Sequence, residues 1–272
     1  MVTNEQVKAF WESNPVAAKG IDAQPGSRAF FQAFDALRES DECEPYGFSN
    51  RIHGYDRSRG LRVLDVGCGN GYVLSRYAAH GAEVFGVDIT ETALSLTRSR
   101  FSSLDYPCVL ESTDGNTLPF PSSHFDIVCS MGVLHHVENP VPMVNEIYRV
   151  LKPGGTFILM LYNRFSWKAC VILPVKRLIY PKFWGRSFQE VLNANDGDGC
   201  PLAKVYSRRE GAELLKDFSG LEFELNQLSW KQLFLVPGLG KLLKPVLPSC
   251  SESLPARVMG WNLYITACRP GG

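Results

Sequence analysis

The sequence carries no net charge: 28 lysines and arginines balance 28 aspartates and glutamates over 272 residues. Nothing global therefore draws the chain to nucleic acid by long-range attraction. Its eight cysteines are scattered, with no C-x-x-C pair and no cysteine/histidine cluster at zinc spacing, so no bound metal is expected. Several lie in apolar runs, where a free thiol behaves as a small hydrophobe. No run of 18 apolar residues occurs, and the start, MVTNEQVKAFWESN, lacks a basic segment followed by an apolar one. The expectation is a soluble, cytoplasmic protein with reduced thiols.

What is present is an alternation of strands and helices. Apolar runs and helical periodicity predict strands at 61–66, 83–88, 107–111, 125–131 and 156–162, with helices at 71–79, 90–101 and 140–151 between them. Thr90 reads as a helix N-cap, and "LKPGG" (151–155) reads as a helix stop. Such alternation builds a parallel sheet covered on both faces. A helix at 207–218 and strands at 221–228 and 261–268 follow, the last two expected to pair antiparallel at the sheet edge. The expected organisation is a cap over 1–56, aromatic at Phe10, Trp11, Phe30 and Phe31, and a main domain over 57–272 with insertions at about 163–206 and 229–257.

Chemistry concentrates where the first strand ends. Gly67, Gly69 and Gly71 follow that strand and open a helix, so backbone can approach a ligand closely and helix N–H groups can face it. A dinucleotide fingerprint would place a third glycine at position 72, where Tyr72 stands, which weakens a pyrophosphate reading. Asp88 closes the second strand, where a carboxylate can accept both hydroxyls of a ribose; the bland alternatives are a solvated strand-end aspartate and a helix cap. Asp65 sits inside the first strand, where a carboxylate needs either neighbouring backbone donors or a ligand ammonium group. Cys68 reads as a small filler, since no neighbouring cation is evident to activate it.

The series "VLDVGCGNG", "VFGVDIT", "STDGNTLPFPSSHFDIVCSMGVLHHV" and "IYRVLKPGGTFIL", from Val63 to Leu161, resembles class I S-adenosylmethionine-dependent methyltransferases. It is similar to the small-molecule group that includes ubiquinone and menaquinone biosynthesis methyltransferases. The resemblance implies a Rossmann-like α/β fold with a mostly parallel seven-stranded sheet, and S-adenosyl-L-methionine as cofactor. It implies an adenine contact at Asp114 and packing of Ile89 on the adenine. Asp114 and Gly115 follow the third strand and would line the same crevice, although Asp114 alone suits a turn equally well. Ser130, Met131 and Gly132 would offer backbone to the methionine part of the cofactor.

Methyl transfer from a sulfonium is an in-line displacement governed mostly by positioning. An acceptor whose proton must leave calls for a base, and His135 and His136 in "MGVLHHV" are the candidates, against a packing role for both. Tyr162, with Asn163 and Arg164, ends the fifth strand as either a substrate contact or a loop anchor. The segment 193–210 reads as a crossing loop or as a lid contributing Asp196, Asp198, Lys204 or Tyr206. The isolated His53 and His80 suit surface or packing roles, and His124 a solvated loop.

The expected substrate is a small molecule with an apolar or aromatic part. Two stretches, "SWKACVILPVKRLIYPKFWGR" and "SWKQLFLVPGLGKLLKPVLP", combine apolar residues, prolines and cations without an acid, which leaves peripheral membrane contact and a quinone or lipid substrate open. The other readings are a tRNA or protein methyltransferase and a cofactor-binding protein without catalysis; no nucleic-acid partner is expected. Oligomeric state is not legible.

Overall fold

A computed structural model describes residues 2–16, 20–41, 43–228 and 253–271. Three helices lead the chain: α1 (Asn4–Ser13), α2 (Arg28–Arg38) and α3 (Tyr46–His53). The alternating core follows as β1 (Arg62–Val66), α4 (Tyr72–Ala79), β2 (Glu83–Asp88), α5 (Glu91–Leu104), β3 (Val109–Ser112), β4 (Phe125–Met131), α6 (Val141–Val150) and β5 (Leu151–Asn163). The remainder comprises α7 (Leu173–Ile179), α8 (Phe188–Asn193), β6 (Val205–Tyr206), α9 (Arg208–Leu214), β7 (Ser219–Asn226), α10 (Leu254–Met259) and β8 (Asn262–Cys268).

The strands lie in the order β3-β2-β1-β4-β5-β8-β7. Neighbours are parallel from β3 to β5, and β8 runs antiparallel to both β5 and β7, as expected of the last two strands. An eighth strand beyond the expected seven is the two-residue β6, which pairs parallel with the end of β5 through Tyr162 and Asn163. The chain steps outward from β1 to β3, then returns to lay β4 on the other side of β1. The crevice between those two directions opens beyond the carboxyl ends of β1 and β4, where α/β sheets take their ligands.

Period-two alternation along the strands divides the core into two layers. Leu64, Val66, Val128, Phe157 and Leu159 face Met143 and Ile147 of α6. Val63, Ile127, Cys129 and Ile158 face Leu74 and Tyr77 of α4 and Leu94 and Phe101 of α5. Asp65 falls on the same side as Val63, so its carboxyl enters an apolar layer.

Two boundaries depart from expectation. The helix stops at Val150, as "LKPGG" predicts, but the strand expected at 156–162 begins at once: Leu151 already pairs with Phe125, the extra residues being absorbed by a register shift before Ile127 meets Thr156. The helix expected over 207–218 ends at Leu214, because Leu215 and Phe218 turn into the core. His124 is half-buried, its ring edge-on to Phe85 and Phe125, rather than solvated. Of the expected insertion over 229–257, residues 229–252 lie outside the described residues.

Candidate active site

One cavity opens in the crevice. Its lining includes Gly67, Gly69 and Asn70 from the turn after β1, Asp88 and Ile89 after β2, Thr113 and Gly115 after β3, Met131 to Leu134 and His136 after β4, and Val7, Trp11 and Val16 near the N-terminus. The structure thus gathers Gly67, Gly69, Asp88, Ile89, Gly115, Met131 and His136 around a single space. Asp65, Gly71, Asp114, Ser130, His135 and Tyr162 stand behind or beside that lining.

Asp88 organises the turn. One carboxylate oxygen accepts from Thr90 N at 2.9 Å and Thr90 Oγ1 at 2.8 Å, and the other accepts from Gly69 N at 3.1 Å. Burial raises its pKa while these hydrogen bonds oppose the rise. The two Thr90 bonds occupy the first oxygen, while the second, which accepts from Gly69 alone among these donors, retains acceptor capacity toward a ligand. Thr97 Oγ1 holds the turn from the far side by donating to Gly69 O at 3.0 Å. Gly69 has φ +57°, and a Cβ built there would meet no protein atom within 4 Å. Packing does not demand glycine at this position; left-handed backbone and clearance toward a ligand do. Gly67 differs: at φ +80°, a Cβ would fall 2.3 Å from Val133 Cγ2.

Asp65 is 2% exposed, and its Oδ1 has no hydrogen-bond partner. Burial, reinforced by the nearby Asp88 charge, pushes its pKa up to about 8. The Nδ2 of Asn70, inside the glycine turn, is likewise buried without a partner. A buried acceptor in β1 and a buried donor in the turn that follows it are both left open, as groups that a polar ligand could complete. An amino acid moiety carries both complements, an ammonium and a carboxylate.

Beyond β3, Asp114 turns the chain: its Oδ1 accepts from Asn116 N and Thr117 N, both at 2.8 Å, which lowers its pKa. Its flanking residues Thr113 and Gly115 reach the cavity. Ser130 donates from Oγ to Val66 O at 3.1 Å, tying β4 to β1 at the crevice floor.

The two histidines of the turn after β4 have different surroundings. His136 donates from Nδ1 to Leu202 O at 2.7 Å, which leaves Nε2 as the acceptor, and its ring lines the cavity beside Trp11 at a centroid distance of 5.0 Å. Burial lowers its pKa, so it is neutral and able to take a proton near pH 7. His135 is fully buried, with neither ring nitrogen partnered, and its ring lies against Tyr162, tilted by 33° at a centroid distance of 3.8 Å. Burial and its histidine neighbour push its pKa well below the usual range, as suits a packing element.

Tyr162 donates to Asp196 Oδ1 at 2.6 Å. Burial and that carboxylate push its pKa well above the phenol range. Ligand atoms of His136, Asp196 and Cys200 lie within 4.8 Å of one another. Ligands on a tetrahedral zinc stand closer, at about 3.5 Å for bonds of ~2.0–2.3 Å, so this set would have to contract to hold one. Of the other candidates in the 193–210 segment, Lys204 donates from N to His135 O at 2.9 Å and pins the segment to the histidine turn. Tyr206 lies in β6, and Asp198 is exposed.

The N-terminal helix closes the cavity. Asn4 Nδ2 donates to Asp114 O at 3.1 Å, and the Glu12 carboxylate accepts from Glu91 N at 3.1 Å and Thr92 N at 2.9 Å, at the positive end of α5. Sequence reasoning placed aromatics here but did not single out Asn4 or Glu12, for which no local motif exists. It also passed over Asn70, whose signal was its place within "GCGNG", and Arg100. That arginine, 1% exposed, donates to Asn70 O at 2.8 Å and pairs with Asp35 of α2 at 2.8 Å, bracing the turn from behind.

Residues 64–159 match the methyltransferase domain family. A ubiquinone biosynthesis O-methyltransferase of Azoarcus sp. (strain BH72) is 37% identical over 115 residues, covering 42% of this chain and 49% of the relative. One of Idiomarina loihiensis is 36% identical over 109 residues, covering 39% and 44%. The chain thus spans about half the length of the curated relatives it matches. A solved S-adenosylmethionine-dependent methyltransferase of Methanosarcina mazei superposes with TM-score 0.56 at 20% identity, covering 82% of this chain and 98% of that one. The cyclase SpnF superposes with TM-score 0.55 at 15% identity, covering 86% and 85%, so the fold alone does not fix the reaction. Residues 64–159 thus match the methyltransferase domain family, and the chain shares the fold of solved S-adenosylmethionine-dependent methyltransferases.

Proposed function

We propose that this chain transfers a methyl group from S-adenosylmethionine to an oxygen of a small molecule with an apolar or aromatic part. The observation that carries the reading is the shared cavity, in which Asp88, the open Gly69 cradle and the His136 ring line one space. When bound, S-adenosylmethionine supplies an electrophilic sulfonium methyl whose departure leaves a neutral thioether. The residues present fit it: Asp88 would hold the ribose hydroxyls, Ile89 and the Thr113–Gly115 backbone the adenine, and Asp65 with Asn70 the amino acid end.

The rest of the chemistry belongs to the acceptor. His136, neutral and held in one tautomer by Leu202, receives the hydroxyl proton at Nε2. Val7, Trp11 and Val16 on one side and Val133, Leu134 and Met143 on the other make apolar walls that exclude water and favour an apolar or aromatic acceptor. Positioning supplies most of the rate, up to ~7–11 kcal/mol in well-oriented systems. The oxygen acceptor accords with the names of the Azoarcus and Idiomarina relatives. Incubation with methyl-labelled S-adenosylmethionine and a fractionated metabolite extract tests the reading. Label in an apolar hydroxylated metabolite is the expected result; label confined to RNA or protein, or no transfer from an intact binding protein, contradicts it.

A further inference from the structure

The segment after β5 forms a helix-turn-helix with a closed underside and an open tip. Below, Ala169, Leu173, Phe183, Val191, Leu192, Ala203 and Trp261 make a small separate core. Above, Leu178, Ile179, Tyr180 and Trp184 are 76%, 65%, 51% and 65% exposed. Three consecutive large apolar or aromatic side chains are thus at least half exposed at the turn between the two helices. The tip is nonetheless ordered locally, since Trp184 Nε1 donates to Leu178 O at 2.9 Å and staples the turn. Phe165, 62% exposed, extends the apolar surface toward β5.

Cations surround this tip. No aspartate or glutamate occurs from Arg164 to Gln189, while Lys176, Arg177, Lys182 and Arg186 do. Among the described residues Lys176, Arg177 and Lys182 form no ion pair; Arg177 donates instead to the backbone of Arg186 at 2.7 Å, and Arg186 lies toward Glu190. Large apolar and aromatic side chains at an exposed turn, edged by cations that form no ion pair, are complementary in both polarity and charge to the boundary of a bilayer with anionic headgroups. Tryptophan and tyrosine settle at headgroup depth there, leucine and isoleucine reach the acyl boundary, and lysine and arginine meet phosphate. Among the described residues no helix is long and apolar enough to cross a membrane, so the contact is peripheral.

We propose that the tip formed by Leu178, Ile179, Tyr180 and Trp184, with Lys176, Arg177 and Lys182, docks the protein on an anionic lipid surface. The inference stands apart from the acceptor's identity, because it uses no residue of the cavity. Flotation of the full chain with vesicles of phosphatidylcholine, alone or mixed with phosphatidylglycerol, tests it. Binding to the anionic vesicles is expected to exceed that to the neutral ones by about tenfold or more and to weaken as salt rises.

Two variants separate the contributions, L178S/I179S/W184S for the apolar tip and K176E/R177E for the charge. Each is expected to lower anionic-vesicle binding about tenfold or more, by loss of buried apolar area in the first and of headgroup attraction in the second. Calorimetric binding of S-adenosylmethionine, unchanged in both, reports that the fold is retained. Equal partition to both vesicle types, or undiminished binding by either variant, would overturn the proposal. So would a concentration-dependent dimer in sedimentation that the apolar-tip variant abolishes, since the tip would then serve a second copy of the chain.

Discussion

Asp65 provides the most exacting test, because the site reading requires it to be unfavourable in the free protein. Its side chain is 2% exposed, one carboxylate oxygen is unpartnered, and its pKa rises to about 8, first from burial and then from Asp88. An aspartate in the unfolded chain titrates near 3.9. Between these values the folded protein holds a proton that the unfolded chain releases, so this group's contribution to stability is full below about pH 4 and falls as pH rises toward 8. At pH 7 the accumulated cost is on the order of 4 kcal/mol. Asp65→Asn removes the titration and keeps the shape. The variant should therefore be more stable than the parent at pH 7, by roughly 10 °C in melting temperature, with a flatter stability profile between pH 4 and 8.

The same change should weaken S-adenosylmethionine binding by about tenfold or more, through loss of a charge-assisted contact to the ammonium. In the parent, binding at pH 7 should release a proton, seen as a dependence of calorimetric heat on the buffer's ionisation enthalpy. Thermal melts across pH and calorimetry in two buffers measure all of this. A variant less stable than the parent at pH 7 that still binds as tightly would refute the reasoning, since the carboxyl would then serve the fold and not the ligand.

Other outcomes follow from individual atoms. Gly69→Ala should cost only about 1–2 kcal/mol of stability, from its positive φ, yet abolish measurable cofactor binding, because the new methyl enters the open cradle. Gly67→Ala should instead lower the melting temperature sharply, its Cβ falling 2.3 Å from Val133 Cγ2. His136→Gln should reduce kcat by about 10²–10⁴-fold while leaving the cofactor's Kd unchanged. In the parent, kcat/KM should fall only when pH drops below the ordinary imidazole range, since burial lowers the His136 pKa and the neutral ring is the active form. That acid limb should vanish in the variant.

The central sheet was legible because strand and helix periods are local and strong there. Val63–Val66, Glu83–Asp88 and Phe125–Met131 are apolar runs closed by glycine or a polar residue, and they appear within a residue or two of their expected limits. The antiparallel β7–β8 pair was also legible. The two-residue β6 was not, since it exists only through its pairing with Tyr162 and Asn163 of β5. At the site, the glycines and Asp88 advertise themselves by spacing. Asn4 and Glu12 do not, because their roles arise from contacts with residues about 80 to 110 positions away. The pair "HH" could not be divided by sequence: adjacency in a short turn sends one ring to the cavity and the other against Tyr162, a distinction set by tertiary packing.

The central claim is that the crevice beyond β1, β2 and β4 holds an adenosyl sulfonium through Asp88. Calorimetric titration of the parent and of Asp88→Ala with S-adenosylmethionine tests it most directly. The account predicts saturable one-site binding by the parent and a loss of about 100-fold or more in the variant, from hydrogen bonds of ~1.5–3 kcal/mol each to two ribose hydroxyls. Absence of binding by the folded parent, or equal affinity in the variant, would contradict it.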